Sequence, residues 1–157
     1  MRVLVVGATG FVGGRLVESL RSAGHDVVAF SRSASGTEFS DDVEVFEGDL
    51  GDPASVEGLC ERIDVAYYLI HSLGSDEDFA ERDRRAAANF RRAAEAKGVD
   101  RILYLGGMRP KGDRASKHLR SRIETGDVLR EGPIPVTEFR AAQIVGSGSL
   151  SFELVRY

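Results

Sequence analysis

Short β-branched runs and helical stretches alternate along this chain six times, and that alternation narrows its fold more than any other feature. Arg2-Val3-Leu4-Val5-Val6 is a continuous apolar run of strand length, the pattern of a strand buried on both faces of a parallel sheet. Val12, Leu16 and Leu20, flanked by Phe11, Val17 and Ala23, then trace one helical face that Gly24 ends. Further strands are predicted at Val27–Phe30, Val43–Phe46, Val65–Ile70, Arg101–Leu105 and within Val136–Val145. Between them the pattern predicts a polar, Ser-rich loop over residues 31–42 and a helix from Pro53 to Arg62. A long Ala- and Arg-rich helix should run from Phe79 to Lys97, and another from Ser116 to Arg130. Gly146-Ser147-Gly148 reads as a turn, and Leu150 to Tyr157 as the first turns of one more helix. The expected class is α/β, a doubly wound parallel sheet in the order 3-2-1-4-5-6 with helices on both faces. One domain should span residues 1–157. Such sheets bind ligands beyond the carboxyl ends of their strands, so the strand-to-helix loops carry the functional reading.

Composition supports a packed domain. The chain is 42% hydrophobic and 29% charged, which excludes global disorder. No apolar run approaches the ~20 residues that a membrane-spanning helix needs. No basic segment followed by an apolar stretch and a cleavage site opens the sequence, so a cytoplasmic location is expected. The lone Cys60 excludes an internal disulfide, and no metal site is expected. Against 25 acidic residues stand 21 basic ones, net −4, so no nucleic-acid partner is expected.

Gly7-Ala8-Thr9-Gly10-Phe11-Val12-Gly13 lies between the first strand and the first helix. Gly7 permits a tight turn, Gly10 lets the backbone approach a pyrophosphate, and Gly13 lets the helix pack closely on the strand. Open amides and the helix dipole then favour an anion, with Thr9, Phe11 and Val12 completing the cradle. The spacing is G-x-x-G-x-x-G, and a glycine-rich connection without a ligand is the bland alternative. The second strand ends in Phe30-Ser31-Arg32-Ser33, where an NAD site would carry an Asp or Glu for the ribose hydroxyl. Arg32, flanked by the hydroxyls of Ser31 and Ser33, instead suits a 2′-phosphate, unless it is simply a solvated loop residue. NADP(H) therefore ranks ahead of NAD(H), although NAD remains an allowed cofactor.

This glycine loop resembles that of the short-chain dehydrogenase/reductase superfamily, especially its extended and atypical branches. Three further segments share the resemblance. Glu47-Gly48-Asp49-Leu50 ends the third strand, where the family places an Asp that meets the adenine. Asn89 stands in the long helix as a corresponding Asn does in many relatives. Phe139 to Gly146 resembles the segment the family writes L-R-P-x-x-x-x-G, with Ala141 at the proline position. The resemblance covers essentially the whole chain and is nearest to NmrA-like, nucleoside-diphosphate-sugar-epimerase-like NAD(P)-binding proteins. It implies the Rossmann fold and a dinucleotide passing Asp49, Leu50, Ile70 and His71, the last at the nicotinamide ribose.

The family's Tyr-x-x-x-Lys helix is matched here by Ser116-Lys117-His118-Leu119-Arg120-Ser121-Arg122. His118 falls at the Tyr position and Arg122 at the Lys position, and their four-residue spacing keeps both on one helix face. His118 could move a proton near neutral pH, or be an ordinary half-exposed helix residue. Arg122 cannot be deprotonated but could hold a ribose or a phosphate. Gly106-Gly107-Met108 lacks the hydroxyl that orients substrate in relatives. From Arg101 to Arg122 the charge balance is strongly basic, which suits either a solvated surface or an anionic partner.

Two function classes follow. One is an NAD(P)(H)-binding protein without efficient turnover, as in NmrA-like regulators and the dinucleotide-holding subunit of respiratory complex I. The other is an NADP(H)-dependent oxidoreductase or epimerase-like enzyme with His118 as acid/base and an unidentified small-molecule substrate. Relatives continue into a C-terminal substrate lobe, whereas this chain ends at Tyr157. Leu150, Phe152, Leu154, Val155 and Tyr157 form an apolar tail that would fold back on the sheet or be covered in a homodimer.

Overall fold

The computed structural model describes residues 1–33, 39–71, 78–109 and 115–149. Strands β1 (Arg2–Val6), β2 (Asp26–Ser31), β3 (Glu44–Glu47), β4 (Val65–Tyr68), β5 (Arg101–Gly107) and β6 (Val136–Ala141) form one sheet. Their order is β3-β2-β1-β4-β5-β6, and every neighbouring pair is parallel. The helices are α1 (Phe11–Ser22), α2 (Phe79–Lys97) and α3 (Lys117–Arg130). The doubly wound parallel sheet read from the alternation is therefore present in the expected order.

Successive side chains of β1 supply two different cores, because a strand alternates its faces. Leu4 and Val6 join Phe30, Leu50, Tyr68, Phe90, Tyr104 and Leu129, so α2 and α3 cover that face. Val5 joins Val17, Val27 and Ala29 beneath α1 on the other. On the first face the rings of Tyr68 and Phe90 lie 5.1 Å apart, pinning the middle of α2 to β4. At the opposite end of the strands from their carboxyl termini, Arg2 bridges Asp26 at 2.7 Å and Glu44 at 2.6 Å. It thereby links the starts of β1, β2 and β3.

The helix expected over Pro53–Arg62 is corrected. Only Ala54–Val56 forms a 3-10 turn, and the segment continues as consecutive turns. Glu57 N donates to Ala54 O, Leu59 N to Val56 O, Glu61 N to Gly58 O and Ile63 N to Cys60 O. Each bond spans three residues, so no α-helical ladder develops. Gly58 at φ +83° and Arg62 at φ +57° break the right-handed path. The turns still bury Val56, Leu59, Cys60 and Ile63 against α2. Burial pushes the Cys60 thiol up to about 12, which leaves it a packing group.

Other boundaries move by a few residues. β4 ends at Tyr68, short of the expected Ile70, and β6 ends at Ala141. α2 has the expected limits, and α3 begins one residue later, at Lys117, with Ser116 as its cap. Residues 34–38, 72–77, 110–114 and 150–157 lie outside the described residues. The apolar tail and any dimer built on it, Lys111, Arg114 and part of the Ser-rich loop fall there.

Candidate functional site

The chain turns sharply where β1 meets α1. Gly7 adopts φ +91°, and a Cβ there would meet Ile70 Cγ2 at 2.9 Å. Only glycine combines that backbone with so close a neighbour. Gly13 is buried against the same loop, and a Cβ on it would lie 2.9 Å from Ala8 Cα. Gly10 is the N-cap of α1, no side chain caps the helix, and no acidic residue sits in its first turn. α3 offers a contrast, because Ser116 accepts a bond from its Leu119 amide. The first amides of α1 thus face out with the helix dipole uncompensated, the arrangement that receives an anion.

A cavity of about 640 Å³ opens beyond the carboxyl ends of the strands. Of the residues singled out in the sequence, Gly7, Thr9, Ser31, Arg32, Asp49, Leu50, Ile70 and His71 line it. Gly10, Phe11, Val12, Gly13 and Ser33 do not. Phe11 packs under Arg15, whose guanidinium carbon is 3.9 Å from the ring centroid. Arg15 also donates to Ser147 O at 2.8 Å, tying the start of α1 to the turn after β6. Ser31 Oγ donates to Ser33 O at 2.8 Å, so that hydroxyl is already engaged, while Arg32 is exposed.

The β3 end is built around two side chains. Asp49 Oδ1 accepts from Gly51 N at 2.8 Å, folding the loop so that Asp49, Leu50 and Gly51 reach the cavity. Buried Asn89 donates from Nδ2 to Leu50 O at 2.8 Å, anchoring that loop to α2. Asn89→Ala would leave a buried carbonyl without its donor. It should cost about 1–3 kcal/mol in urea unfolding and weaken any ligand held by Asp49. Unchanged stability would contradict this role.

Sequence reasoning missed the α2 wall, where Arg82, Asp83, Arg85 and Ala86 line the cavity. Asp83 is 9% exposed, and its Oδ2 accepts from Ser121 Oγ at 2.9 Å, joining α2 to α3 just before Arg122. Tyr104 donates to Arg122 O at 2.6 Å, and burial raises the Tyr104 phenol well above its ordinary range. Helical spacing hinted at this wall, since residues 82, 85, 86 and 89 share one face of α2.

His118 and Arg122 part company in space. His118 is exposed and stacks on Phe79, 4.7 Å between ring centroids, and it does not line the cavity. Arg122 Nη2 lies 3.3 Å from Nδ1 of His71, which does. A guanidinium only donates, so this bond forms when that nitrogen carries no proton. Protein packed around the His71 ring, and then the Arg122 cation, hold its pKa below the ordinary 6.5, with Asp83 and the Leu69 carbonyl partly opposing. As pH falls below 6.5 the unfolded chain takes up this proton first. The His71 contribution to stability is thus present above that value and lost as pH falls through the folded pKa. In an NMR titration His71 should remain neutral below pH 6.5, and Arg122→Gln should raise its pKa. A His71 titrating at or above 6.5 in the native chain would contradict this.

Among the described residues no helix is long and apolar enough to cross a membrane. The NAD(P)H-binding family model matches residues 7–156. A 3 beta-hydroxysteroid dehydrogenase/Delta 5→4-isomerase of Mycobacterium tuberculosis is 32% identical over 113 residues. The match covers 66% of this chain and 30% of that protein. A 2-alkyl-3-oxoalkanoate reductase of Stenotrophomonas maltophilia is 30% identical over 107 residues, 66% of this chain and 32% of that protein. The match thus spans about a third of each relative's length. Among solved structures, the Bordetella bronchiseptica enzyme WbmH in complex with NAD+ superimposes with TM-score 0.82. It is 22% identical, over 98% of this chain and 59% of that one. A UDP-N-acetylglucosamine 4-epimerase from Bacillus cereus gives TM-score 0.79 at 18% identity, over 99% of this chain and 60% of that one. Those two likenesses concern the fold. The glycine turn, the uncapped α1 and a family match running nearly the length of the chain agree, and the chain belongs to the NAD(P)H-binding family.

Proposed function

We propose that this chain binds NADP(H) in preference to NAD(H) and holds it without efficient turnover. The observation that carries the preference is Arg32. It lines the cavity at the end of β2, has no ion-pair partner among the described residues, and stands where a carboxylate would select NAD. The residues present fit a dinucleotide: Gly7 and Gly13 let the β1–α1 turn close tightly, where a Cβ would strike Ile70 or the turn's own backbone, and α1 presents uncapped amides beside the cavity. In this reading the α1 amides hold the pyrophosphate, Arg32 the 2′-phosphate, and Asp49 the adenine. His71 and Arg122 stand toward the nicotinamide end. When bound, the dinucleotide supplies hydride chemistry at its nicotinamide ring.

Poor turnover follows from the side chains around that end. His118 stacks on Phe79 in place of lining the cavity, and Gly106-Gly107-Met108 offers no hydroxyl to orient a substrate. A second reading, an NADP(H)-dependent oxidoreductase or epimerase-like enzyme with His118 as acid/base, is supported by the spacing of His118 and Arg122 on α3. The named activities of the relatives, a dehydrogenase/isomerase and a reductase, also favour it. Calorimetric titration with NADP⁺, NADPH, NAD⁺ and NADH, followed by NADPH absorbance with quinones, aldehydes and ketones, separates the readings. The first expects tight NADPH binding and stable absorbance. Equal affinity for both cofactor pairs would overturn the preference, and NADPH oxidation dependent on His118 would establish the enzyme.

A further inference from the structure

Two arginines of α2 are held by carboxylates of α2, α3 and the residue that follows α3. Arg84 bridges Glu81 and Glu124, each at 2.6 Å, and Arg91 bridges Glu131 at 3.0 Å and Glu95 at 3.4 Å. Arg85, one residue after Arg84, lines the dinucleotide cavity and has no hydrogen-bonding or ion-pair partner among the described residues. Arg32 lines the same cavity from the end of β2 and is likewise unpaired among them. Two like charges left without counterions in one cavity repel each other, an arrangement that an anionic ligand relieves.

Neither carboxylate of the cavity, Asp49 or Asp83, is paired with Arg32 or Arg85, and a third guanidinium, Arg82, lines the same cavity. Asp49 is turned onto Gly51 N at 2.8 Å, and buried Asp83 is bonded to Ser121. A phosphate monoester carries about −1.5 to −2 charges near neutral pH, more than one guanidinium balances. Its oxygens also accept bidentate bonds from two directions. The tie from Asn89 to Leu50 O, one turn beyond Arg85, sets this part of α2 beside the loop that flanks β2 and β3.

We propose that Arg85 is a second phosphate-selecting residue, gripping the 2′-phosphorylated ribose of the dinucleotide from the α2 wall while Arg32 grips it from β2. The inference rests on the NADP(H) reading and adds a residue from a different element. Because both guanidiniums are open to solvent, the discrimination they provide should weaken as ionic strength rises.

Calorimetry on the whole chain tests it, with NADPH, NADH, adenosine 2′-monophosphate and adenosine 5′-monophosphate as ligands. Arg85→Gln should weaken NADPH and the 2′-monophosphate by about tenfold or more, leaving NADH and the 5′-monophosphate within about twofold. Arg85→Lys should lie between, since it keeps the charge and loses the fork. Arg84→Gln, whose guanidinium is held by Glu81 and Glu124, should leave all four affinities in place. Circular dichroism checks that each variant is folded. Equal loss of NADPH and NADH in Arg85→Gln would overturn the proposal, placing Arg85 on the pyrophosphate or base. No loss would overturn it too, and if Arg32→Gln still abolished the preference, the NADP(H) reading would stand without Arg85. A native chain with no preference for NADPH would overturn both.

Discussion

Gly13→Ala is expected to lower stability by about 1–3 kcal/mol and to weaken dinucleotide binding together with it. The new methyl would lie 2.8 Å from the Gly7 carbonyl carbon and 2.9 Å from Ala8 Cα, with the carbonyl oxygen nearer still. These are backbone atoms of the turn itself, so relief requires α1 to shift away from β1. The α1 amides and the Gly7 turn would then lose their common geometry. Gly14→Ala is the informative control. Its added methyl would meet Ala8 O at 3.6 Å, an ordinary contact, inside the same helix. Alanine there should stabilise by roughly 0.5–1 kcal/mol, because glycine is the poorer helix former. Urea unfolding of both variants checks the contrast, and two equal effects would show that helix propensity, not close packing, governs this turn.

Arg32→Ala should reduce NADPH affinity by about 1.5–3 kcal/mol, roughly ten- to a hundred-fold, with little change for NADH. A charge-assisted contact to phosphate disappears, while the groups that would hold the common part of both cofactors remain. The effect should be largest at low ionic strength, because Arg32 is exposed. Parallel losses for NADPH and NADH in a calorimetric titration would instead assign Arg32 to the adenine or pyrophosphate.

The sheet was legible because β1, β2 and β5 are apolar runs bounded by turn residues, and parallel strands buried on both faces leave that signature. α2 was legible to the residue, since its periodic apolar face ends at Gly98, a left-handed cap. The 53–62 segment was not. Its apolar spacing is set by burial against α2, and a string of tight turns can satisfy that burial as well as a helix can. The β1–α1 side of the candidate site could be read directly, because Gly7 and Gly13 are demanded by backbone contacts close in sequence. Its α2 wall could not. Arg84 and Arg85 are adjacent and chemically identical, and only packing decides that one meets Glu124 while the other meets the cavity. His118 and Arg122 illustrate the same limit. Their helical spacing is retained, yet Phe79 takes one ring and His71 receives the other side chain.

In the proposed reading a dinucleotide lies along the carboxyl ends of these strands. Amide shift mapping of the chain during NADPH titration tests it most directly. Saturable shifts are expected at Gly7, Thr9, Ser31, Arg32, Asp49, Gly51, Ile70 and His71 of the cavity wall, reached at lower concentration with NADPH than with NADH. Shifts centred elsewhere, or none at saturating NADPH, would contradict it.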